Sequence, residues 1–170
     1  MAANPFPMGE TMSELVETLA ARLRLLEDRE AIRDLIASYG PLADAGEAQA
    51  LAALWAKDGI YEVVGFAQAQ GHAAIAALIE GDTHRALMAD GCAHLLGPVA
   101  VEIDGDRATA RGHSVVFRHG PEGFAPYRVA ANRWTLRRSA DGWQVVHRRN
   151  ALLDGSEAAR ILLAPNQPAS

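Results

Sequence analysis

The spacing of apolar residues changes near Gly91, and this change limits the chain to few architectures. Before it, apolar residues recur every three or four positions, as in an amphipathic helix: Leu15, Leu19, Leu23, Leu26, Ile32, Leu35, Ile36 and Tyr39. After it, apolar and polar residues alternate, as in strands exposed on one face. Asp104-Gly105 and Asp141-Gly142 interrupt the alternation, and such pairs favour two-residue hairpin turns. Helices followed by antiparallel strands predict an α+β domain.

The first half predicts three helices. The first begins at Thr11 and ends or kinks at Gly40-Pro41, because proline lacks the N–H that a helix interior requires. The second carries Leu51, Leu54 and Trp55. The third runs through residues 71–89 and has a weak point at Gly81.

Strands dominate the rest of the chain. Residues 60–65 form a short strand, and the segments after Gly91 form a four-strand antiparallel meander. The glycine-rich segment HGPEGFAP, residues 119–126, joins the middle pair as a longer loop. Helices packed across the concave face of such a curved sheet leave a cone, which is a natural place for a small-molecule pocket.

Composition excludes several classes of protein. With 170 residues and a formal net charge of -5, the chain reads as one domain (11–163) between flexible tails (1–10 and 164–170), and a nucleic-acid partner is not expected. Cys92 is the one cysteine, so neither an internal disulfide nor a thiolate metal cage is expected. Without a membrane-length apolar run or a secretory signal, we expect a cytoplasmic protein with no membrane partner. The late arginines alternate with apolar residues and predict a solvated strand face: Arg133, Arg137, Arg138, Arg148 and Arg149.

Several polar residues fall on strand faces that carry large apolar groups. His113 shares a face with Phe117, and Asn132 shares one with Trp134. By the same alternation His147 would lie with Trp143 and Val145. His94 opens the first meander strand, but Gly97-Pro98 disturbs the alternation, so its face stays open. Each residue can also be an ordinary hydrogen-bonded core or edge residue.

Asp44 stands among apolar residues and has two interpretations. Glu47 follows it by three positions, a spacing that resembles a capping box at a helix start. Alternatively, its carboxylate is half of a catalytic pair. Local sequence favours the helix cap.

The segments 29–63, 71–79, 94–117 and 132–149 resemble the SnoaL-like branch of the nuclear transport factor 2-like superfamily. The resemblance rests on the Tyr…Asp pair late in the first helical region, on the DGDRAT hairpin and on DGW before the last long strand. It implies a cone-shaped α+β fold with N-terminal helices on the concave face of a curved, mainly antiparallel sheet. It also implies a homo-oligomer, a dimer or a trimer.

Site residues follow the resemblance to scytalone dehydratase and hexachlorocyclohexane dehydrochlorinase. Asp44 and His94 match the dyad of both enzymes, and His113 resembles the second histidine of the dehydratase. Asn132 resembles its substrate-contacting asparagine, and Tyr61 loosely resembles a tyrosine that holds a water. The dehydratase has a tyrosine directly before its aspartate, whereas here that position is Ala43 and Tyr39 lies a turn earlier.

These matches imply a cofactor-independent lyase acting on a small cyclic or aromatic ketone. His94 would be the general base, Asp44 would orient it, and His113 would donate a proton. Tyr39, Tyr61, Asn132, Trp134 and Phe117 would bind the substrate. The alternatives are an isomerase or cyclase with the same dyad, a metal site of His94, His113 and Asp44, and a non-catalytic binding or oligomerisation module.

Overall fold

The computed structural model describes residues 11–165. Its helices are α1 (Met12–Asp44), α2 (Ala48–Ala52), α3 (Gly71–Glu80), α4 (Asp82–Asp90) and α5 (Glu157–Leu163). Its strands are β1 (Trp55–Val63), β2 (Ala67–Gln70), β3 (Cys92–Leu96), β4 (Ala100–Asp104), β5 (Arg107–Gly120), β6 (Gly123–Ser139) and β7 (Gly142–Leu152). The tail predicted at 1–10 and most of the one predicted at 164–170 lie outside the described residues. No helix in residues 11–165 is long and apolar enough to cross a membrane.

The strands form one curved sheet in the order β2-β1-β7-β6-β5-β3, with β4 also paired to β5. All pairs are antiparallel except β1 with β7. The predicted α+β class and meander are therefore confirmed. As expected from Gly97-Pro98, the first meander strand is interrupted and forms β3 and β4.

The turns follow the predicted chemistry at two of three places. Gly105 and Gly142 have φ angles of 55° and 110°, in the left-handed region that glycine adopts without steric cost. The longer loop predicted at residues 119–126 is wrong. Strand pairing there continues to Gly120 opposite Gly123, leaving a two-residue turn.

Two helix boundaries also differ from the prediction. α1 continues through Pro41 to Asp44, and its last turns contain the buried residues Tyr39, Gly40 and Ala43. Packing of this turn outweighs the hydrogen bond that proline removes. α2 ends at Ala52, and Trp55 begins β1 instead of lying in a helix. Its indole Nε1 donates to the Ile60 carbonyl at 3.1 Å. The predicted weak point at Gly81 is confirmed, because it separates α3 from α4.

The main core lies between the N-terminal helices and the concave face of the sheet. Ile32 and Ile36 of α1 pack there with Trp55, Trp134 and further apolar residues. The opposite face carries a small second cluster under α5, a helix the sequence did not predict: Ala131, Ala151, Ala159 and Leu162. Arg133 donates to carbonyls at the C-terminal end of α5, which satisfies groups that a helix end leaves free.

A β-bulge in β7 reverses its alternation. Leu136 faces Val145, but Thr135 faces His147, so Val146 is an extra residue on β7. Residues before the bulge point inward at odd numbers, such as Trp143 and Val145, whereas after it Arg148 and Asn150 are the buried ones. The bulge therefore turns Arg148 toward the core and His147 away from it.

Gly40 sets how closely α1 approaches β3. A Cβ added at Gly40 would lie 2.1 Å from the His94 carbonyl oxygen, far inside van der Waals contact. Only glycine permits this helix-to-strand distance.

We therefore expect Gly40→Ala to push α1 away from β3 and to lower the free energy of unfolding by about 1–3 kcal/mol, the usual cost of overpacking. Ser38→Ala, on the exposed side of the same turn, should change it by less than about 0.5 kcal/mol. Urea titrations of both variants measure the difference. Equal stabilities would contradict the tight contact.

Candidate active site

Asp44 and His94 are in direct contact. The last residue of α1 accepts two hydrogen bonds from the same residue of β3: His94 Nδ1 lies 2.6 Å from Asp44 Oδ1, and the His94 backbone N–H donates to Oδ2 at 2.9 Å. Because a carboxylate only accepts, Nδ1 carries the proton of the shared hydrogen bond. Nε2 is then the ring nitrogen left for other chemistry.

The helix-cap interpretation of Asp44 is wrong. The N-cap of α2 is Glu47, which makes no side-chain capping bond, and Asp44 lies at the C-terminal end of α1 instead. A genuine capping box occurs at the start of α1, between Thr11 and Glu14. Besides His94, the Asp44 carboxylate accepts a hydrogen bond from the Cys92 thiol at 3.4 Å.

The surroundings of His94 favour its neutral form. Its side chain is 12% exposed, and burial lowers the pKa of its imidazole below the ordinary value of 6.5. The Asp44 carboxylate opposes this effect and raises the pKa, whereas the charges of His84 and Arg148 lower it further. A lowered pKa keeps His94 unprotonated, as a base must be, at neutral pH.

His94 lines a cavity of about 110 Å³ between α1 and the sheet. Lining residues come from α1 and from five strands: Tyr39, Tyr61, Val63, His94, Leu96, Ser114, Val115, Val116, Arg128, Arg148 and Asn150. Burial raises the pKa of the Tyr39 phenol, as does the neighbouring Tyr61, so the Tyr39 hydroxyl stays protonated and can donate. A larger surface groove, of about 590 Å³ at the β5–β6 hairpin, contains none of the predicted site residues.

Asn132 organises the floor of this cavity. Its side-chain oxygen accepts from Arg148 Nε and Nη2 at 3.1 and 2.9 Å and from Asn150 Nδ2 at 2.9 Å, while its amide nitrogen donates to Ser114 Oγ at 2.8 Å. It is 2% exposed and does not itself line the cavity. Trp134, fully buried, lies behind Arg148 with its ring centroid 4.4 Å from the guanidinium carbon. Both residues thus position the lining instead of forming it.

The structure does not bring His113 or Phe117 into the site. The inward face of β5 carries Ala108, Ala110, Gly112, Ser114 and Val116, whereas His113 is exposed. The prediction followed the larger apolar residues of the strand. The inward face carries mainly small residues instead, and the segment after β3 packs tightly on it: a Cβ added at Gly112 would lie 2.9 Å from the Pro98 carbonyl oxygen. The rule of large apolar residues therefore selected the wrong face. His147 also points away and pairs with Glu62 Oε2 at 3.0 Å.

Sequence reasoning missed Arg148 altogether. The prediction placed it on a solvated face, yet it is 2% exposed and lines the cavity. Strict alternation from Trp143 would put Arg148 outside, and only the inserted residue Val146 turns it inward. In the sequence Arg148 directly precedes Arg149, and nothing in this pair indicates that one of the two is buried.

The two-histidine metal set suggested by the sequence does not assemble, because His113 is on the other face. Asp44, Cys92 and His94 do lie together, with ligand atoms within 4.8 Å of one another. Burial and the Asp44 carboxylate raise the pKa of the Cys92 thiol to about 11. The thiolate that metal binding requires is therefore disfavoured in this arrangement.

We expect Asp44→Asn to lower the pKa of His94 further, because the variant removes a charge that stabilises the imidazolium. Titration of the imidazole signals by NMR, with His94→Ala to assign the resonance, measures the shift. Asp90→Asn, which removes a carboxylate bonded to Arg118, is the matched control and should leave His94 unchanged. An unchanged pKa in Asp44→Asn would contradict the contact.

Comparison with known proteins agrees with the fold. Residues 24–149 match the family model described as a SnoaL-like domain. An NTF2-like protein with a cystatin-like fold from Novosphingobium aromaticivorans is 64% identical and superposes with a TM-score of 0.87, covering 93% of this chain and 99% of its own. No functionally curated protein matches the chain significantly.

More distant structures share the fold. A protein of unknown function from Mycobacterium tuberculosis is 22% identical with a TM-score of 0.67, over 81% of this chain and 90% of its own. ActVI-ORFA from Streptomyces coelicolor is 20% identical with a TM-score of 0.65, over 75% and 98%. The fold and the family match together show that the chain belongs to the SnoaL-like domain family of NTF2-like proteins.

Proposed function

We propose that the protein is a cofactor-independent lyase that uses the Asp44–His94 pair as its general base. The observation that carries the proposal is the 2.6 Å contact between Asp44 Oδ1 and His94 Nδ1. This contact orients the ring and leaves Nε2 as the basic nitrogen of a side chain that lines the cavity.

The substrate class follows from the cavity. Small size, aromatic walls and a neutral base suit a compact cyclic or aromatic ketone with a leaving group β to the carbonyl. His94 Nε2 would take the proton from the carbon next to the carbonyl. The C–H electron pair would form the new C=C bond while the bond to the leaving hydroxyl breaks.

The leaving hydroxyl needs a proton to depart as water. Tyr39 and Tyr61 line the cavity beside His94, with the Tyr39 and His94 ring centroids 6.4 Å apart. One of these phenols would take the donor role that the sequence assigned to His113. Return of the proton at another carbon would make the reaction an isomerisation or a cyclisation, so proton abstraction is the step common to all three outcomes.

His94→Ala should therefore slow proton abstraction by about 10²- to 10⁴-fold, the usual contribution of a general base. Exchange of the α-hydrogens of small cyclic ketones in D2O, followed by proton NMR, measures this step without requiring a leaving group. Elimination from the β-hydroxy ketones is followed by the absorbance of the conjugated product.

His113→Ala is the informative comparison, because the sequence assigned that residue a proton-donor role, whereas its side chain is exposed on the outer face. We expect it to keep nearly the wild-type rate. Wild-type exchange no faster than that of His94→Ala would remove the catalytic proposal and leave a binding module.

A further inference from the structure

Arg148 is a buried cation whose charge has no carboxylate partner among residues 11–165. Two of its guanidinium nitrogens, Nε and Nη2, donate to the neutral Asn132 oxygen. Its third, Nη1, is buried and has no hydrogen-bond partner in the described chain. Burying a charge without a counter-ion is costly, as is leaving a buried N–H group unpaired.

Aromatic rings stabilise the buried charge of Arg148 but do not accept hydrogen bonds from its N–H groups. The guanidinium carbon lies 4.0 Å from the Tyr39 ring centroid, 4.4 Å from that of Trp134 and 4.7 Å from that of Tyr61. Such contacts stabilise the charge through the ring faces. The N–H groups of a guanidinium lie in its plane and still require an acceptor.

The remaining polar groups make the cavity positive. Arg128 also lines it and donates to Asn150 Oδ1 at 2.7 Å. None of the lining residues is acidic. Asp44 is bonded to His94 but does not itself line the cavity. The charge of Arg148 acts on His94 and lowers its pKa, so cation and base share one electrostatic environment.

We propose that the cavity binds a negatively charged oxygen on an sp² carbon, and that Arg148 Nη1 donates to this oxygen. The inference rests on the proposed function in one respect, because abstraction of a proton beside a carbonyl places negative charge on that oxygen. The anion has two possible sources: a carboxylate that the ligand already carries, or the enolate that forms during reaction. Arg148 serves both with the same in-plane donor.

Binding of acetate and acetamide tests the proposal without any catalysis. The two ligands have nearly the same shape, and only acetate is charged. Titration of the purified protein, followed by amide chemical shifts, should show acetate binding about 10- to 100-fold more tightly, as expected for a hydrogen bond to a charged group. Equal binding of the two ligands by the wild type would overturn the proposal, whatever the variants do.

Arg148→Met removes the charge and keeps an apolar side chain, and it should abolish the preference for acetate. Arg149→Met is the matched control, because Arg149 lies on the other face of β7 and donates to Glu62. Acetate affinity should persist in the control. Tight acetate binding by Arg148→Met would overturn the role of Arg148.

The coloured ligand 4-nitrophenol separates the two sources of charge, since its phenolate resembles an enolate and its ionisation is visible. An enolate site should lower the pKa of bound nitrophenol in the wild type but not in Arg148→Met. Acetate selectivity without this shift assigns the site to carboxylates. Arg148-dependent anion binding in a protein that exchanges no ketone protons would support this inference while contradicting the proposed lyase.

A second inference comes from the exposed half of α1. Five apolar residues of this helix are 45–75% exposed and follow one another at alternating spacings of four and three positions. They are Met12, Val16, Leu19, Leu23 and Leu26, here called the α1 stripe. At about 100° per residue the stripe lies roughly opposite Ile32, Ile36 and Ala43, which pack on the protein's own core. Another molecule can cover it without disturbing the domain.

The spacing and the flanking charges point to a second copy of this chain. Spacing by four and three is the heptad pattern of a two-stranded coiled coil, with Val16 and Leu23 at a and the others at d. Arg22 then falls at a g position and Glu27 at the following e position, which face each other between parallel helices. We infer that two copies pair through the α1 stripe as a parallel coiled coil.

Sedimentation equilibrium tests this pairing. The wild type should be a dimer, and the double variant Leu19→Glu/Leu23→Glu should dissociate at least about 100-fold more readily, because it places charges in the apolar seam. Arg24→Glu, outside the stripe, is the matched control. A monomeric wild type, or a double variant that dimerises normally, would overturn the inference.

Charge reversal tests the parallel register. Arg22→Glu should weaken the dimer by opposing Glu27 of the other copy, and Arg22→Glu/Glu27→Arg should restore it. Antiparallel helices would bring like residues together, so the second change would then not restore pairing. That result would overturn the parallel arrangement.

Discussion

The contact between Asp44 and β3 is the interaction on which the candidate site depends. One carboxylate accepts both the backbone and the ring N–H of His94, and it therefore joins the end of α1 to the strand and orients the imidazole at once. Hydrogen bonds to a charged group contribute about 1.5–3 kcal/mol each, which helps explain why α1 continues past Pro41. Gly40 makes the contact possible, because any side chain there would collide with the His94 carbonyl.

Around this contact, opposing electrostatic effects keep His94 available as a base. Burial and the positive charge of Arg148 lower its pKa, and Asp44 raises it. In the proposed reaction the same positive charge would stabilise an anion that forms next to the base, so one buried guanidinium would serve both the resting and the reacting state. Its stacking on Tyr39, Trp134 and Tyr61 fixes that charge in place, and a preorganised charge needs little rearrangement during reaction.

The sequence predicted the parts of the site that depend on chain order and residue type, and it failed where geometry depends on an irregularity. Helices before strands and the Asp-Gly turns determined the architecture, and the family resemblance selected Asp44 and His94, which the structure brings into contact. The face of Arg148 could not be predicted, since a single extra residue at Val146 reverses the alternation and nothing local marks it. His113 was misplaced for a different reason. Large apolar neighbours ordinarily mark a buried face, but the buried face of β5 carries mainly small residues.

In the proposed mechanism Asp44 fixes the tautomer of a neutral catalytic histidine. The most direct measurement is a long-range ¹H–¹⁵N correlation spectrum of the imidazole rings near pH 8, with His94 assigned by substitution. We predict that His94 carries its proton on Nδ1, hydrogen-bonded to Asp44, and that Nε2 has the chemical shift of an unprotonated nitrogen. A His94 protonated on Nε2 would contradict it, because the nitrogen left for the substrate could not then accept a proton.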